Sequence, residues 1–168
     1  MYNLQRSEIK FSLNLSVKTS EMKKIFFTVL LFINCFCFAQ TSDETQIKET
    51  INNLFIGMKN ADAKMVNSAF SDNAILQTIS KEGNVKTEEL KNFISSVSGF
   101  SKNDLDEKIS YLSIQIDGNL ASVFTPYEFY FKGKFSHCGA NSFQLVQQNN
   151  TWKIQYLIDT RRKENCKK

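Results

Sequence analysis

Apolar residues recur at helical spacing in the first part of the chain after residue 40. Between Thr41 and Asn60 they fall at i, i+4, i+7, i+8 and i+11, which predicts one amphipathic helix. A second short helix is predicted over 61–70 and a third from Thr87 to Val97, each with an apolar stripe. The inward positions of the first helix are predicted to be Ile47, Ile51, Leu54, Phe55 and Met58.

The pattern changes to a period of two from Ile109 onward, after one earlier strand predicted over Ala74–Ser80. Turn signals at 117–119, at Gly133 and at Asn149-Asn150 divide this part into four strands. Helices followed by an antiparallel meander predict an α+β fold. Residues 102–108 are interpreted as a charged link between the two parts.

The turns also predict which strand residues lie side by side. A turn centred on Gly133 places Phe129 beside His137 and Val123 beside Phe143. In the same way, a turn at Asn149-Asn150 places Tyr156 beside Phe143, Ile158 beside Asn141 and Arg162 beside His137. By this register, both Glu128 and Asp159 point away from the apolar face. Gly139 in mid-strand predicts a bend that curls the sheet around a hollow.

The N-terminal part has the features of a secretory leader. Lys23 and Lys24 precede an apolar run, and Cys37 and Ala39 are small residues ahead of a cleavage point before Gln40. We therefore interpret 22–39 as a signal peptide, 1–21 as an over-extended N-terminus and 40–168 as one domain. The protein is expected to be exported, to the periplasm or beyond, and to meet a membrane only through this leader.

Composition narrows the class of partner. The full chain of 168 residues carries a formal charge of +4, but from residue 40 onward it has 16 Lys and Arg against 15 Asp and Glu. So small an excess gives no basic face for phosphate backbones, which argues against nucleic acid. The 15 Phe residues and 23% charged residues are those of a folded domain.

Two cysteines remain after the leader, Cys138 and Cys166, and an even count in an oxidising compartment predicts one disulfide. His137 is the chain's one histidine, and no Cys/His cluster has zinc spacing, so neither a metal nor a cofactor is predicted.

The segments Gly133–Gly139, Trp152–Ile154 and Asp159–Arg162 resemble the NTF2-like (SnoaL-like) superfamily, and within it the exported proteins that carry the putative lumazine-binding label. The resemblance covers about residues 44–166. It implies a cone in which N-terminal helices pack on a curved antiparallel sheet. It leaves function open, because this fold hosts isomerases, dehydratases, transport factors and binding proteins.

Within such a cone His137 is the strongest catalytic candidate, because imidazole titrates near neutral pH. Asp72 is the acidic partner that a dehydratase-like pair would need. The structural alternatives are a hydrogen-bonded core histidine and a turn-forming aspartate. The ligand pocket is predicted to be lined by Tyr127, Phe129, His137, Asn141, Phe143, Tyr156 and Arg162.

Three functions follow from these residues. The first is binding of a small apolar or aromatic molecule without turnover. The second is an isomerase or lyase with His137 as base and Tyr127, Tyr156 or Asn141 as oxyanion donors. The third is a homodimeric interaction module that uses Tyr130, Val146 and Leu157 on the outer face of the sheet. A charge run at 161–163 is interpreted as a solvated tail, with an anion-binding rim as the alternative.

Overall fold

The computed structural model describes residues 43–166. The predicted over-extended segment and signal peptide lie outside these residues, so both stay predictions. None of the helices within 43–166 has the length and apolar character needed to cross a membrane.

In this described part of the chain, three helices form close to the predicted positions. Helix α1 covers 43–60, α2 covers Ala63–Ala69 and α3 covers Leu90–Val97. The predicted apolar face of α1 is buried as expected. Helix α3 begins later than predicted, because residues 85–88 are extended and pair with a neighbouring strand. Asp62 caps α2 by accepting a hydrogen bond from the backbone N–H of Met65.

Within residues 43–166, seven strands form a single sheet. Their bounds are β1 Phe70–Ile79, β2 Val85–Glu88, β3 Leu105–Ile109, β4 Ser113–Asp117, β5 Leu120–Phe131, β6 Lys134–Gln148 and β7 Thr151–Arg162. The order across the sheet is β2-β1-β7-β6-β5-β3, and β4 also pairs with β5. The α+β class is confirmed. The meander is antiparallel as expected, and the sheet as a whole is mixed, because β1 runs parallel to β7.

The hairpin between β5 and β6 has the predicted register over most of its length. Phe129 pairs with His137, and Val123 pairs with Phe143. An irregularity between Phe129 and Tyr130 changes the pairing only next to the turn. We call the sheet face that carries Val123 and Phe143 the inner face, since these side chains join the core with the helices.

The hairpin between β6 and β7 departs from the predicted register. Leu145 pairs with Ile154 as expected, but the next residue, Gln144, pairs with Tyr156, so Gln155 is an extra residue in β7. Because side chains alternate along a strand, one extra residue exchanges the two faces of everything beyond it. Leu157 and Asp159 therefore lie on the inner face, where Tyr156 and Ile158 were predicted.

This change also divides the predicted dimer surface. Leu157 packs against the core cluster. Tyr130 and Val146 alternate with inner-face residues and so lie on the outer face. The three residues do not share one face, and the homodimer stays a prediction.

Candidate functional site

A small cavity of about 80 Å³ lies on the inner face between the helices and the sheet. Helices α1 and α3, with Leu76 and Leu157 of the sheet, supply its apolar walls, and β1, β2, β3, β6 and β7 supply polar groups. Its lining comprises Leu54, Phe55, Met58, Leu76, Gln77, Thr78, Glu88, Phe93, Glu107, Asn141, Leu157, Asp159 and Arg161. The lining therefore combines apolar side chains with three carboxyl groups and one guanidinium group.

Glu107 provides the most unusual group of the cavity. Strand β3 places it between Leu105 and Ile109, both packed in the core, so its side chain points inward with them. Asn141 Nδ2 donates to Glu107 Oε1 over 2.9 Å. Burial of the carboxyl group raises the pKa of Glu107 to about 7, although the Asn141 hydrogen bond opposes the shift. Glu107 therefore gains or loses a proton near neutral pH.

Asp159 is the centre of a second polar cluster and is 8% exposed. Its Oδ2 accepts from Arg161 Nε over 2.9 Å and from the Tyr127 hydroxyl over 3.1 Å. The Thr78 hydroxyl donates to Oδ1 of the same carboxylate. With these donors the charge of Asp159 is compensated, in contrast to that of Glu107.

Gly139 makes room for the tyrosine of this cluster. A Cβ atom at Gly139 would lie 2.7 Å from the Tyr127 ring and 1.8 Å from the backbone oxygen of Thr160. The Tyr127 hydroxyl donates to that same Thr160 oxygen over 2.9 Å. Burial and the nearby carboxylates of Asp159 and Glu107 raise the pKa of Tyr127 well above its ordinary value, which keeps it a neutral donor. The glycine is needed here for close packing.

The cavity includes only part of the pocket predicted from the sequence. Asn141 lines it, and Tyr127 supports it from behind through Asp159. Phe143 is fully buried and packs edge-on against Phe55, 6.3 Å between ring centroids, so it is a core residue.

His137 lies on the inner face but outside the cavity. Its ring centroid is 5.0 Å from that of Phe129 and 5.7 Å from that of Tyr127. Ser136 Oγ is 3.1 Å from His137 Nδ1. Partial burial, and after it the positive charge of Arg161, lower the pKa of His137. The histidine is therefore a neutral ring at neutral pH, at the open end of the sheet.

The other predicted site residues lie elsewhere. The extra residue in β7 turns Tyr156 to the outer side, where its hydroxyl donates to Gln77 Oε1 over 2.8 Å. Arg162 pairs with Cys138 and is exposed. Asp72 is exposed in the irregular part of β1, and the cavity lining does not include it.

The predicted disulfide is confirmed. Cys138 and Cys166 are bonded, with 5.8 Å between their Cα atoms and 28 residues of separation. In the part of the chain that the structure describes, no group of three or more His, Cys, Asp or Glu side chains is arranged to hold a metal ion.

Sequence reasoning missed Glu107, Asp159 and Arg161 as site residues. For Glu107 a signal was present, because Leu105, Glu107 and Ile109 alternate with charged residues as a strand would. For Asp159 and Arg161 the signal was misleading, because their predicted face depended on a regular hairpin.

Comparison with solved structures places the fold among NTF2-like proteins. An NTF2-like protein of unknown function from Shewanella baltica has 16% identity over 73% of this chain and 95% of that chain, with a TM-score of 0.60. One from Silicibacter pomeroyi has 14% identity over 73% and 98%, with a TM-score of 0.60. A protein of unknown function with a cystatin-like fold from Nostoc punctiforme has 12% identity over 73% and 92%, with a TM-score of 0.59. At these identities the likeness concerns the fold alone.

Comparison of the sequence with protein families identifies the family. No functionally curated protein shows significant sequence similarity to the chain. The family described as "Putative lumazine-binding" matches residues 42–156, more than half of the chain. This match shows that the protein belongs to the "Putative lumazine-binding" family, and its fold is that of the NTF2-like structures above.

Proposed function

We propose that this protein is an exported binding domain that holds a small, flat molecule in the inner-face cavity through hydrogen-bond donors on the ligand. The observation that carries the proposal is the Glu107 carboxyl group in a cavity that combines apolar walls with acidic side chains. The leader pattern at 22–39 and the Cys138–Cys166 disulfide support export, since disulfides persist in oxidising compartments.

The hydrogen-bonding state of the cavity indicates the kind of ligand. A carboxylate offers about four acceptor positions, and among the described residues Asn141 is the one side chain that donates to Glu107. The lining carries three acidic residues against Arg161, whose Nε is already bonded to Asp159. Acceptors therefore outnumber donors, which favours a ligand with N–H groups or a positive charge.

The size of the cavity limits the ligand. A cavity that admits benzene measures about 150 Å³, roughly twice the present volume. A ring can enter once a wall side chain moves, and the unbranched Met58 is the most adaptable of the apolar residues in the wall. Lumazine, which the family description names, is a bicyclic ring with N–H donors and so fits the chemistry better than the volume.

Two probes of equal size test the proposal. 2-Aminopyridine presents two N–H donors to a carboxylate when protonated, and toluene has the same number of heavy atoms and no donor. We expect calorimetry to show at least a tenfold preference for 2-aminopyridine, the value of one charge-assisted hydrogen bond. Glu107→Gln should remove most of this preference, and Glu49→Gln on the exposed side of α1 is the matched control.

Equal binding of the two probes, or a preference that survives Glu107→Gln, would contradict the assigned ligand class. Lumazine is the third probe. Tight binding of lumazine that Met58→Ala changes would place the bicyclic ring in this cavity, and binding indifferent to Met58 would place it elsewhere.

The raised pKa of Glu107 favours a second candidate function, proton transfer within a bound substrate. A carboxylate with a pKa of about 7 can take a proton from carbon and return it to another carbon, which isomerises the substrate without an oxidant or reductant. We place this function second because the candidate oxyanion donors are already engaged. The one hydroxyl proton of Tyr127 is shared between Asp159 and the Thr160 oxygen, and Asn141 donates to Glu107.

Substitutions distinguish the two candidate bases, His137 from the sequence and Glu107 from the structure. With a small β,γ-unsaturated ketone as substrate, we expect Glu107→Gln to abolish isomerisation and His137→Ala to retain most of the isomerisation rate. The reverse result would assign the reaction to His137.

A further inference from the structure

Basic residues gather at the open end of the sheet, beyond the cavity. A groove of about 610 Å³ is lined there by Lys81, His137, Arg161, Arg162, Lys163, Glu164 and Asn165, and we call these residues the rim. Four of the seven are Lys or Arg and one is acidic. They come from the turn after β1, from β6 and from the end of β7, so the concentration of charge depends on the fold.

The disulfide holds one wall of this groove in place. Residues 163–165 follow the last strand as an exposed bend and would be a fraying terminus on their own. Cys166 immediately after them is bonded to Cys138, which lies on β6 opposite Arg162. The bridge therefore keeps Lys163 beside the end of the sheet.

Arg161 contributes to both the cavity and the rim. Its Nε donates to Asp159 over 2.9 Å and one terminal nitrogen donates to the Thr78 hydroxyl over 3.1 Å. A guanidinium group has five N–H donors in a planar arrangement, so these two contacts fix its orientation and leave others for a ligand.

His137 lines the groove, and the pKa of its ring responds to the charges of the rim. Phe129 and Tyr127 contact its ring, and the charged groups that act on it are Arg161, Asp159 and Lys163. Burial and the positive groups lower its pKa, and Asp159 acts in the opposite direction. A net positive field therefore reaches the imidazole, and an anion bound in the groove would reduce that field.

We propose that the rim binds the oxyanion group of a small molecule, a phosphate or a carboxylate, and that the Cys138–Cys166 disulfide keeps this site assembled. This site is distinct in charge from the cavity and does not depend on the function proposed for Glu107.

The first test is a titration with inorganic phosphate at constant ionic strength, followed through the ring resonances of His137. We expect a saturable shift and a rise in the pKa of His137 when phosphate is bound. The double variant Arg162→Gln, Lys163→Gln should weaken phosphate binding at least tenfold. Lys64→Gln, Lys91→Gln is the matched control, because it removes two charges from exposed helix positions outside the rim.

A titration that does not saturate, or equal weakening in the control variant, would mean general screening and would overturn the proposal. Binding of a polyanion such as heparin with no binding of phosphate would replace the small-molecule site by a macromolecular one. Glu107→Gln removes a negative charge that acts on Arg161, so it should not weaken phosphate binding; phosphate binding that persists in this variant keeps the outcome here separate from the outcome for the cavity.

The second test addresses the disulfide. The Cys138→Ser, Cys166→Ser variant, verified as folded by its backbone amide spectrum, should lose at least fivefold in phosphate affinity. Unchanged affinity would refute the role of the bridge. If this variant does not fold, the same comparison is made by cutting the intact chain after Lys163, which frees the wall and leaves the disulfide closed.

Discussion

The two ends of the inner face differ in the sign of their charged groups and in how far these groups are exposed to solvent. At the enclosed end, helices α1 and α3 cover Glu107, and the loss of solvent raises the pKa of this acid to about 7. At the open end none of the helices in the described residues lines the groove, and the basic side chains of the rim remain exposed around His137. One sheet face thus carries an acid that resists ionisation and a base that resists protonation.

The difference shows that burial and the electrostatic field of nearby charges shift the pKa values of neighbouring groups separately. Glu107 is shifted chiefly by burial, and a hydrogen bond from Asn141 only moderates the shift. His137 is partly buried, and the positive neighbours shift it further in the same direction. Arg161 joins the two ends, since it lines both spaces.

Removing the disulfide should have the largest effect and should act on one end only. Closing a loop of 28 residues restricts the unfolded chain by about 3.5 kcal/mol on the entropic account. We expect Cys138→Ser, Cys166→Ser to lower the free energy of unfolding by about that amount in chemical denaturation. The preference of the cavity for 2-aminopyridine should persist in the folded fraction, and its loss would show that the two ends are not separate.

Neutralising Glu107 should stabilise the protein, but only at high pH. The folded-state pKa lies above the ordinary value of 4.5, so the protonated form is favoured by folding. Its contribution is complete below about pH 4.5 and is lost as the pH rises through about 7. We expect Glu107→Gln to raise the free energy of unfolding by about 3 kcal/mol at pH 8 and by little at pH 4.

Denaturation of the wild type, Glu107→Gln and the control Glu49→Gln at both pH values measures this effect. An equal gain at pH 4 and pH 8 would mean that packing, and not ionisation, is responsible.

The third-largest effect is expected from filling the space at Gly139, which supports the cavity through Tyr127. A Cβ atom there would clash with both the Tyr127 ring and the Thr160 oxygen, so Gly139→Ala must displace both. Overpacking of this kind costs about 1–3 kcal/mol. Thermal unfolding should show the loss, and Ser142→Ala on the same strand but the opposite face is the control. A neutral Gly139→Ala would mean that Tyr127 is not held as tightly as its contacts suggest.

Changing one charge of the rim should have the smallest effect. Lys163 is among the groups that lower the pKa of His137, after burial and Arg161. Lys163→Gln should therefore raise that pKa slightly, measured by NMR titration of the ring at low salt. The same change in Lys91→Gln would indicate an effect of net charge and not of the rim.

Most of the fold could be predicted from the sequence because its signals are local. The buried face of α1 and the β5–β6 pairing from Val123 to Phe129 follow from spacing and turn chemistry. The parallel pairing of β1 with β7 could not be predicted in this way, because the two strands are about 80 residues apart and share no turn.

The candidate site was predictable only in part, for a similar reason. Asn141 and Tyr127 were placed correctly on the inner face because the β5–β6 hairpin is regular where they pair. Asp159 was placed on the wrong face, because no residue type marks Gln155 as the point where the hairpin gains a residue. Which polar side chains meet in the interior depends on such irregularities more than on composition.

Gln155 sets the chemistry of everything that follows it in the last strand. Its side chain bonds Ser71 and the backbone oxygen of Asn73, which ties the added residue to the first strand. Deletion of Gln155 would turn Tyr156 and Ile158 toward the helices. It would turn Asp159 and Arg161 toward the solvent. A single insertion or deletion at this position would therefore exchange charged for apolar side chains in the interior of a related chain, with the rest of its sequence unchanged.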